Sequence, residues 1–242
     1  MQAPTSAADL AQLTQAAAQL TQAAAQGEPE AQAALAQRLL DGRNVERDAP
    51  RALQLFLQSA AQQHAMAANM AGRCLENGWG TPVDLPRATA LYRQAAEAGL
   101  DVGMYNYANQ LASGQAIDQD HRKALGWYSQ AASLGHFKSM TKAGRYFEDG
   151  LVVPQDLGQA FSSYRQAAEG GDFRGQFCYA GMLAAQGRTD EALHWLRKVP
   201  ATATPKYLAE AGQLLQQSPS EAIRAIGQDY SKAAKVASSK SV

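Results

Sequence analysis

The hexapeptide Tyr92-Arg93-Gln94-Ala95-Ala96-Glu97 returns letter for letter as Tyr164-Arg165-Gln166-Ala167-Ala168-Glu169, two steps of 36 residues downstream. Alanine pairs keep the same step: Ala24-Ala25, Ala60-Ala61, Ala95-Ala96, Ala131-Ala132 and Ala167-Ala168 are spaced by 36, 35, 36 and 36 residues. Glycines do likewise. Gly42, Gly78, Gly114 and Gly150 lie 36 apart, and Gly187 follows one residue late. A fixed period of this size marks a repeat array, in which each unit covers the apolar face of the next.

Each period reads as two helices. The first carries a large or apolar residue at Leu35, Ala71, Tyr107, Ala143 and Tyr179, a small one at Ala36, Gly72, Ala108, Gly144 and Ala180, and another large one at Leu39, Leu75, Leu111, Phe147 and Leu183. The i, i+4 spacing makes one buried stripe, and the small track lets a neighbouring helix come close. The glycine that follows suits a left-handed residue just past a helix end. Asp48, Asp84, Asp120 and Asp156, again 36 apart, are placed to cap the second helix, with Pro50 and Pro86 in its first turn. Its inward face then runs through Ala52, Leu55 and Phe56; Ala88, Leu91 and Tyr92; Ala124, Trp127 and Tyr128; and Ala160 and Tyr164. An acidic residue repeated once per module is read as a cap rather than as a catalytic acid.

Composition agrees. Fifty of the 242 residues are alanine, aromatics make up 7% and charged residues 18%, so small helix formers dominate. Twenty-two basic and twenty-two acidic groups cancel, which leaves neither the basic stripe of a nucleic-acid binder nor a polybasic membrane contact. No apolar run approaches the roughly 18 residues of a membrane span. The opening MQAPTSAADL lacks the basic start and apolar stretch of a secretory signal. As given, the sequence points to the cytoplasm; Gln2-Ala3-Pro4 is also what a trimmed exported protein would show, in which case the expected compartment is the periplasm.

The pattern of small-x-x-large before Gly, then Val-x-x-Asp-x-x-x-Ala, then Trp-Tyr or x-Tyr and Ala-Ala-x-x-Gly, resembles Sel1-like repeats, relatives of the tetratricopeptide repeats. Residues 101–135 and 137–171 fit it best, and the resemblance covers about residues 24–199. Gln62-Gln63-His64 replaces the usual acidic-x-Gly end of the first repeat. In the fifth, only five residues separate Gly187 from Ala192 where ten separate the earlier pairs, similar to the short tetratricopeptide turn. The resemblance implies an all-α fold, a right-handed α-solenoid superhelix of antiparallel helix pairs. The expected layout is a single solenoid over 1–242. A capping helix at 5–26 carries Leu10, Leu13 and Leu20, and five repeats at 27–199 follow, the last one shorter. Capping helices at 203–237 carry Ile223, Ile226 and Tyr230, and a frayed tail occupies 238–242.

Chemistry is sparse. Cys74 and Cys178 stand three repeats apart, roughly 30 Å at helix-packing distances near 10 Å, too far for a disulfide. His64, His121, His136 and His194 are read as unrelated in repeat position and form no HxxxH or HExxH pair. There is no Gly-x-Ser-x-Gly, phosphate loop or dinucleotide fingerprint. The expectation is therefore no enzyme, no cofactor and no metal.

A solenoid of helix pairs instead offers a concave surface lined by the first helices. Projected on those helices, the unburied positions are Gln37, Asn69, Arg73, Tyr105, Asn109, Thr141, Arg145 and Phe177, with Lys138 and Arg174 one turn back. Arg73, Asn109 and Arg145, at one-repeat intervals, would clamp an acidic or C-terminal peptide; the plainer reading is that they serve solubility. Trp79 sits in an inter-helix loop, either packed on the convex edge or presented as an interface anchor. The functional expectation is a protein-interaction scaffold, monomeric alone, binding a protein or peptide partner, an acidic one on the clamp reading, and neither nucleic acid nor membrane. The resemblance implies roles such as a bacterial immunity protein or an envelope- or secretion-associated regulator. The competing reading is an enzyme with weak β-lactam-directed activity, of the kind credited to some cysteine-rich relatives. It would need a nucleophile beside a base.

Overall fold

The computed structural model describes residues 7–239, with side chains over 15–237. Leu10, Leu13 and the tail at 238–242 lie outside the described side chains. Among the described residues there are thirteen α-helices, one 3-10 turn at Val199–Ala201 and no strand. The chain divides into two compact units, residues 1–127 and 128–242, the boundary falling within a helix.

The first unit holds α1 (Ala7–Ala25), α2 (Pro29–Asp41), α3 (Ala49–Ala61), α4 (Ala65–Asn77), α5 (Leu85–Glu97), α6 (Asp101–Ser113) and the start of α7 (His121–Ser133). The second holds the rest of α7, then α8 (Phe137–Asp149), α9 (Leu157–Glu169), α10 (Phe173–Ala185), α11 (Thr189–Leu196), α12 (Pro205–Leu215) and α13 (Glu221–Ser239). In the first unit each helix from α1 to α6 packs on the next; in the second, α8 to α11 do so and α12 packs on α13, and first helices also meet directly, α4 on α6 and α8 on α10.

Every helix from α2 to α10 has thirteen residues, because the same two turn designs end them each time. At the close of the first helices Gly42, Gly78, Gly114 and Gly150 adopt φ of 68, 71, 67 and 64°, where a Cβ would crowd the carbonyl. The aspartates then act at both ends of the connection. Their carboxylates accept from the backbone N–H of Arg51, Arg87, Lys123 and Gln159 at 2.9–3.1 Å. Their own N–H groups donate back to Leu39, Leu75, Leu111 and Phe147 at 2.8–3.0 Å. One residue thus starts the second helix and ties it to the end of the first.

The return turns use Gly27, Gly99, Gly135 and Gly171 at φ of 86–92°, whereas the first repeat places Gln63 there at 66°. His64 and His136 correct a sequence expectation: they are two repeats apart and do the same work. His64 Nδ1 accepts from Ala67 N at 3.0 Å and His136 Nδ1 from Ser139 N at 3.3 Å, capping α4 and α8.

Packing follows the small track. A Cβ at Gly72 would stand 2.8 Å from Tyr92 Cε1, and one at Gly144 2.8 Å from Tyr164 Cε1. These glycines are spaces for tyrosine rings. Each buried ring ends on a carboxylate: the Tyr92 hydroxyl donates to Glu76 at 2.8 Å and that of Tyr164 to Glu148 at 2.6 Å. Glu76 also accepts from Gln110 at 2.7 Å, so one carboxylate joins α4, α5 and α6. Tyr107 and Trp127, expected inside, are half-buried and meet edge to face at 5.8 Å. In the second unit the shortened turn opens with Arg188 forked onto Glu191 at 2.6 and 2.7 Å. Tyr230 of α13 donates to the Leu196 carbonyl at 2.5 Å, closing the end of α11.

Candidate protein-interaction faces

In the first unit, the side chains expected to face a partner divide into those the fold consumes and those it leaves outside. Asn69 is 2% exposed, and its Oδ1 accepts from Asn106 of α6 at 2.8 Å. It is therefore an inter-helix tie and not an open contact, a correction. The projection treated α4 as an isolated helix, and α6 covers that side of it. Gln37 is half-buried and donates to Asp41 at 2.9 Å. Tyr105 and Asn109 are half-buried on α6.

Arg73 is exposed, with its guanidinium 5.3 Å from the centre of the Trp79 ring, close enough for a cation–π contact. Trp79 is half-buried and packs against the first unit's core. With Gln37, Leu40, Asp41, Arg47, Met70 and Arg73 it lines a shallow cleft of about 280 Å³. The two alternatives for Trp79 meet here, since one ring both packs and borders the cleft.

In the second unit Thr141 also needs correction. It is 8% exposed, and its hydroxyl donates to Asp172 at 2.6 Å; the same carboxylate accepts from Gly175 N at 2.9 Å, capping α10. α10 covers Thr141 as α6 covers Asn69. Lys138, Arg145 and Arg174 are exposed and Phe177 half-buried. Arg145 faces Asp149 at 3.7 Å, a solvent-exposed i, i+4 pair of small energetic weight. Arg174 lies over two rings, 4.5 Å from the centre of Phe173 and 5.5 Å from that of Tyr207. Tyr207 meets Phe173 edge to face at 4.8 Å and Phe177 at 5.9 Å.

Two members of this face escape the sequence projection. Lys142 sits one turn beyond Lys138 on α8 and is exposed as a residue, yet its ammonium is held below the ordinary lysine value, first by partial desolvation and then by the Arg174 and Arg145 charges. Tyr207 comes from α12, outside the repeat pattern. Lys142 was within reach of a projection that extended one position further round the helix; nothing in the repeat signals Tyr207.

The cysteines are unpaired. Burial pushes the thiols of Cys74 and Cys178 up to about 11, and a thiol, unlike a thiolate, is a weak nucleophile. Among the described residues no cluster of His, Cys, Asp and Glu could hold a metal, and no helix is long and apolar enough to cross a membrane.

Helix pairs of constant length from α2 to α10, joined by two recurring turns and packed through a small-residue track, define a helical-repeat protein of the α-solenoid class. The chain belongs to the Sel1 repeat family: the family model matches residues 29–64, 65–100, 102–136 and 138–172, more than half of its length. Each window starts at or within a residue of a first helix. Solved structures agree on the fold. A Sel1 repeat protein from Oxalobacter formigenes is 21% identical with a TM-score of 0.74, over 87% of this chain and 89% of that one. A protective antigen of uropathogenic Escherichia coli is 23% identical with a TM-score of 0.74, over 90% of this chain but 48% of that one. An immunity protein from Pseudomonas aeruginosa is 14% identical with a TM-score of 0.54, over 86% and 81%. No curated protein sequence matches the chain. The Sel1 repeat is generally a non-catalytic protein-interaction fold.

Proposed function

We propose that this protein is a non-enzymatic scaffold, monomeric alone, that binds a partner protein through its first-helix faces, with the partner contributing an acidic segment. The observation that carries this reading is the separation of side chains on those faces. Asn69 and Thr141 are spent inside, while Arg73, Lys138, Arg145 and Arg174 remain exposed, two of them stacked on aromatic rings. Arginine over an aromatic ring, bordered by half-buried rings, is a composition enriched at protein interfaces. The raised thiols of Cys74 and Cys178 support the absence of a cysteine nucleophile.

The role we favour is that of an immunity protein or of a regulator associated with the envelope or secretion. The likeness to a Pseudomonas aeruginosa immunity protein supports the first, at the level of fold.

The test is capture of partners from a bacterial lysate by the tagged full chain, read by mass spectrometry, with wild type beside Arg73→Glu/Arg145→Glu. The reading expects a protein enriched by the wild type and depleted at least tenfold by the double variant. Equal capture by both proteins would remove the assignment to these faces, and no enriched protein at all would remove the scaffold.

A further inference from the structure

The two units present different chemistry on their first helices. In the first, the buried Asn69 of α4 is tied to the half-buried Asn106 of α6, and their one exposed arginine, Arg73, already lies against Trp79. In the second, Lys138, Lys142 and Arg145 stand at i, i+4 and i+7 along α8, which places them on one side of it. Arg174 approaches from α10, the neighbour of α8.

These charges are close enough to repel. Partial desolvation of its ammonium first, and then the positive charges of Arg174 and Arg145, disfavour the charged form of Lys142. Nearby carboxylates are already engaged. Asp172 takes the Thr141 hydroxyl and the Gly175 amide, Glu148 takes the Tyr164 hydroxyl, and Asp149 faces Arg145. Among the described residues neither Lys142 nor Arg174 has a carboxylate within ion-pair distance.

Space is available beside them. Cys178 and Gly181 occupy in α10 the repeat positions that Lys142 and Arg145 hold in α8, so short residues replace long ones. A Cβ at Gly181 would meet nothing within 4 Å. The floor of the Arg174 side is aromatic: Phe173 and Tyr207 lie beneath its guanidinium, which leaves the edge donors of that group available to a planar acceptor. Lys142 and Arg174 are both exposed and, among the described residues, neither has a carboxylate partner, so their like charge is left facing solvent. Retaining them here gives a face complementary to negative charge.

We propose that the α8–α10 face of the second unit is a carboxylate-binding subsite, in which Lys142 and Arg174 together hold an aspartate or glutamate side chain of an extended partner segment. This deepens the scaffold reading and rests on it. A carboxylate matches the forked donors of Arg174 and accepts from Lys142 with its second oxygen. The aromatic platform gives the flanking partner backbone a surface to lie on. The chain's overall neutrality argues against a nucleic-acid occupant, which would call for a broader basic surface.

The probe is a fluorescein-labelled decaglutamate peptide, measured by anisotropy against the full-length protein at low ionic strength. Decaglutamine serves as the uncharged control and a dA decanucleotide as a competitor of similar negative charge. Decaglutamate binds and decaglutamine does not. Lys142→Ala/Arg174→Ala weakens binding about tenfold or more, Lys142→Arg retains it, and Lys232→Ala, on the exposed lysine paired with Asp229, leaves it unchanged. Reductive 13C-methylation of the lysines gives a second readout: the Lys142 resonance moves on adding decaglutamate more than that of Lys232. Circular dichroism melts establish that the variants fold. Decaglutamate binding that survives the double substitution, or that the oligonucleotide displaces more readily than free decaglutamate does, overturns the proposal. If lysate partners are still captured by Lys142→Ala/Arg174→Ala, the subsite fails and the scaffold stands. If decaglutamate binds through these residues but no partner is ever captured, the scaffold reading fails alone.

Discussion

The Tyr164 ring lies so close to Gly144 that a methyl group there would come within 2.8 Å of its Cε1 atom, while its hydroxyl donates to Glu148 at 2.6 Å. Tyr92 repeats the arrangement with Gly72 and Glu76. Close approach and hydrogen bond depend on each other, because the missing Cβ sets the ring depth at which the hydroxyl reaches the carboxylate.

Gly144→Ala therefore overpacks a site with no room to give, and should destabilise the fold by about 1–3 kcal/mol. Tyr164→Phe leaves the packing and removes a hydrogen bond to a charged group, with an expected loss of about 1–3 kcal/mol. Urea unfolding of both variants checks this. A Gly144→Ala protein as stable as wild type would show that the helices separate freely.

Asp120 and Asp156 cap α7 and α9, and their carboxyls sit below the usual 3.8, first because the backbone N–H groups of Lys123 and Gln159 donate to them. A depressed folded value means the stabilisation is complete above the unfolded value and disappears as pH falls through the folded one. Urea midpoints of wild type and Asp120→Asn/Asp156→Asn, compared from pH 7 downward, should converge below about pH 4. Parallel curves would deny the carboxylates this role.

Gln63 holds φ at 66°, where the equivalent positions in other repeats are Gly27, Gly99, Gly135 and Gly171. Gln63→Gly relieves that strain and should raise stability by up to about 1 kcal/mol, net of the extra freedom glycine gains when unfolded. Thermal melts read it directly, and a lower melting temperature would contradict the expectation.

Thr141→Val keeps shape but leaves the buried Asp172 short of one donor. A loss of about 1–3 kcal/mol is expected, with partner capture unchanged once the protein is folded. Loss of capture without loss of stability would return Thr141 to the contact surface.

The architecture was readable in one dimension because its causes are local and repeated. A left-handed glycine and a capping aspartate act within a few residues of themselves, so a 36-residue step displays them five or four times over, and the structure places the four aspartates and the glycines at the expected helix ends. The exposed contact surface was only partly readable. Asn69 and Thr141 sit at positions that an isolated helix leaves open, and the next first helix covers both. The pairings of Glu76 with Tyr92 and Glu148 with Tyr164 join residues sixteen apart on different helices, a distance at which no local propensity operates.

What the sequence determined by itself is the helix pair, its length, its turns and the small-residue track along which pairs nest. Tertiary structure alone decided which polar side chains were drawn inside as ties, which cations were brought together from α8 and α10, and that Tyr207 of α12 came to lie under Arg174. Burial and charge proximity arise from neighbours distant in sequence, and a single helix does not carry that information.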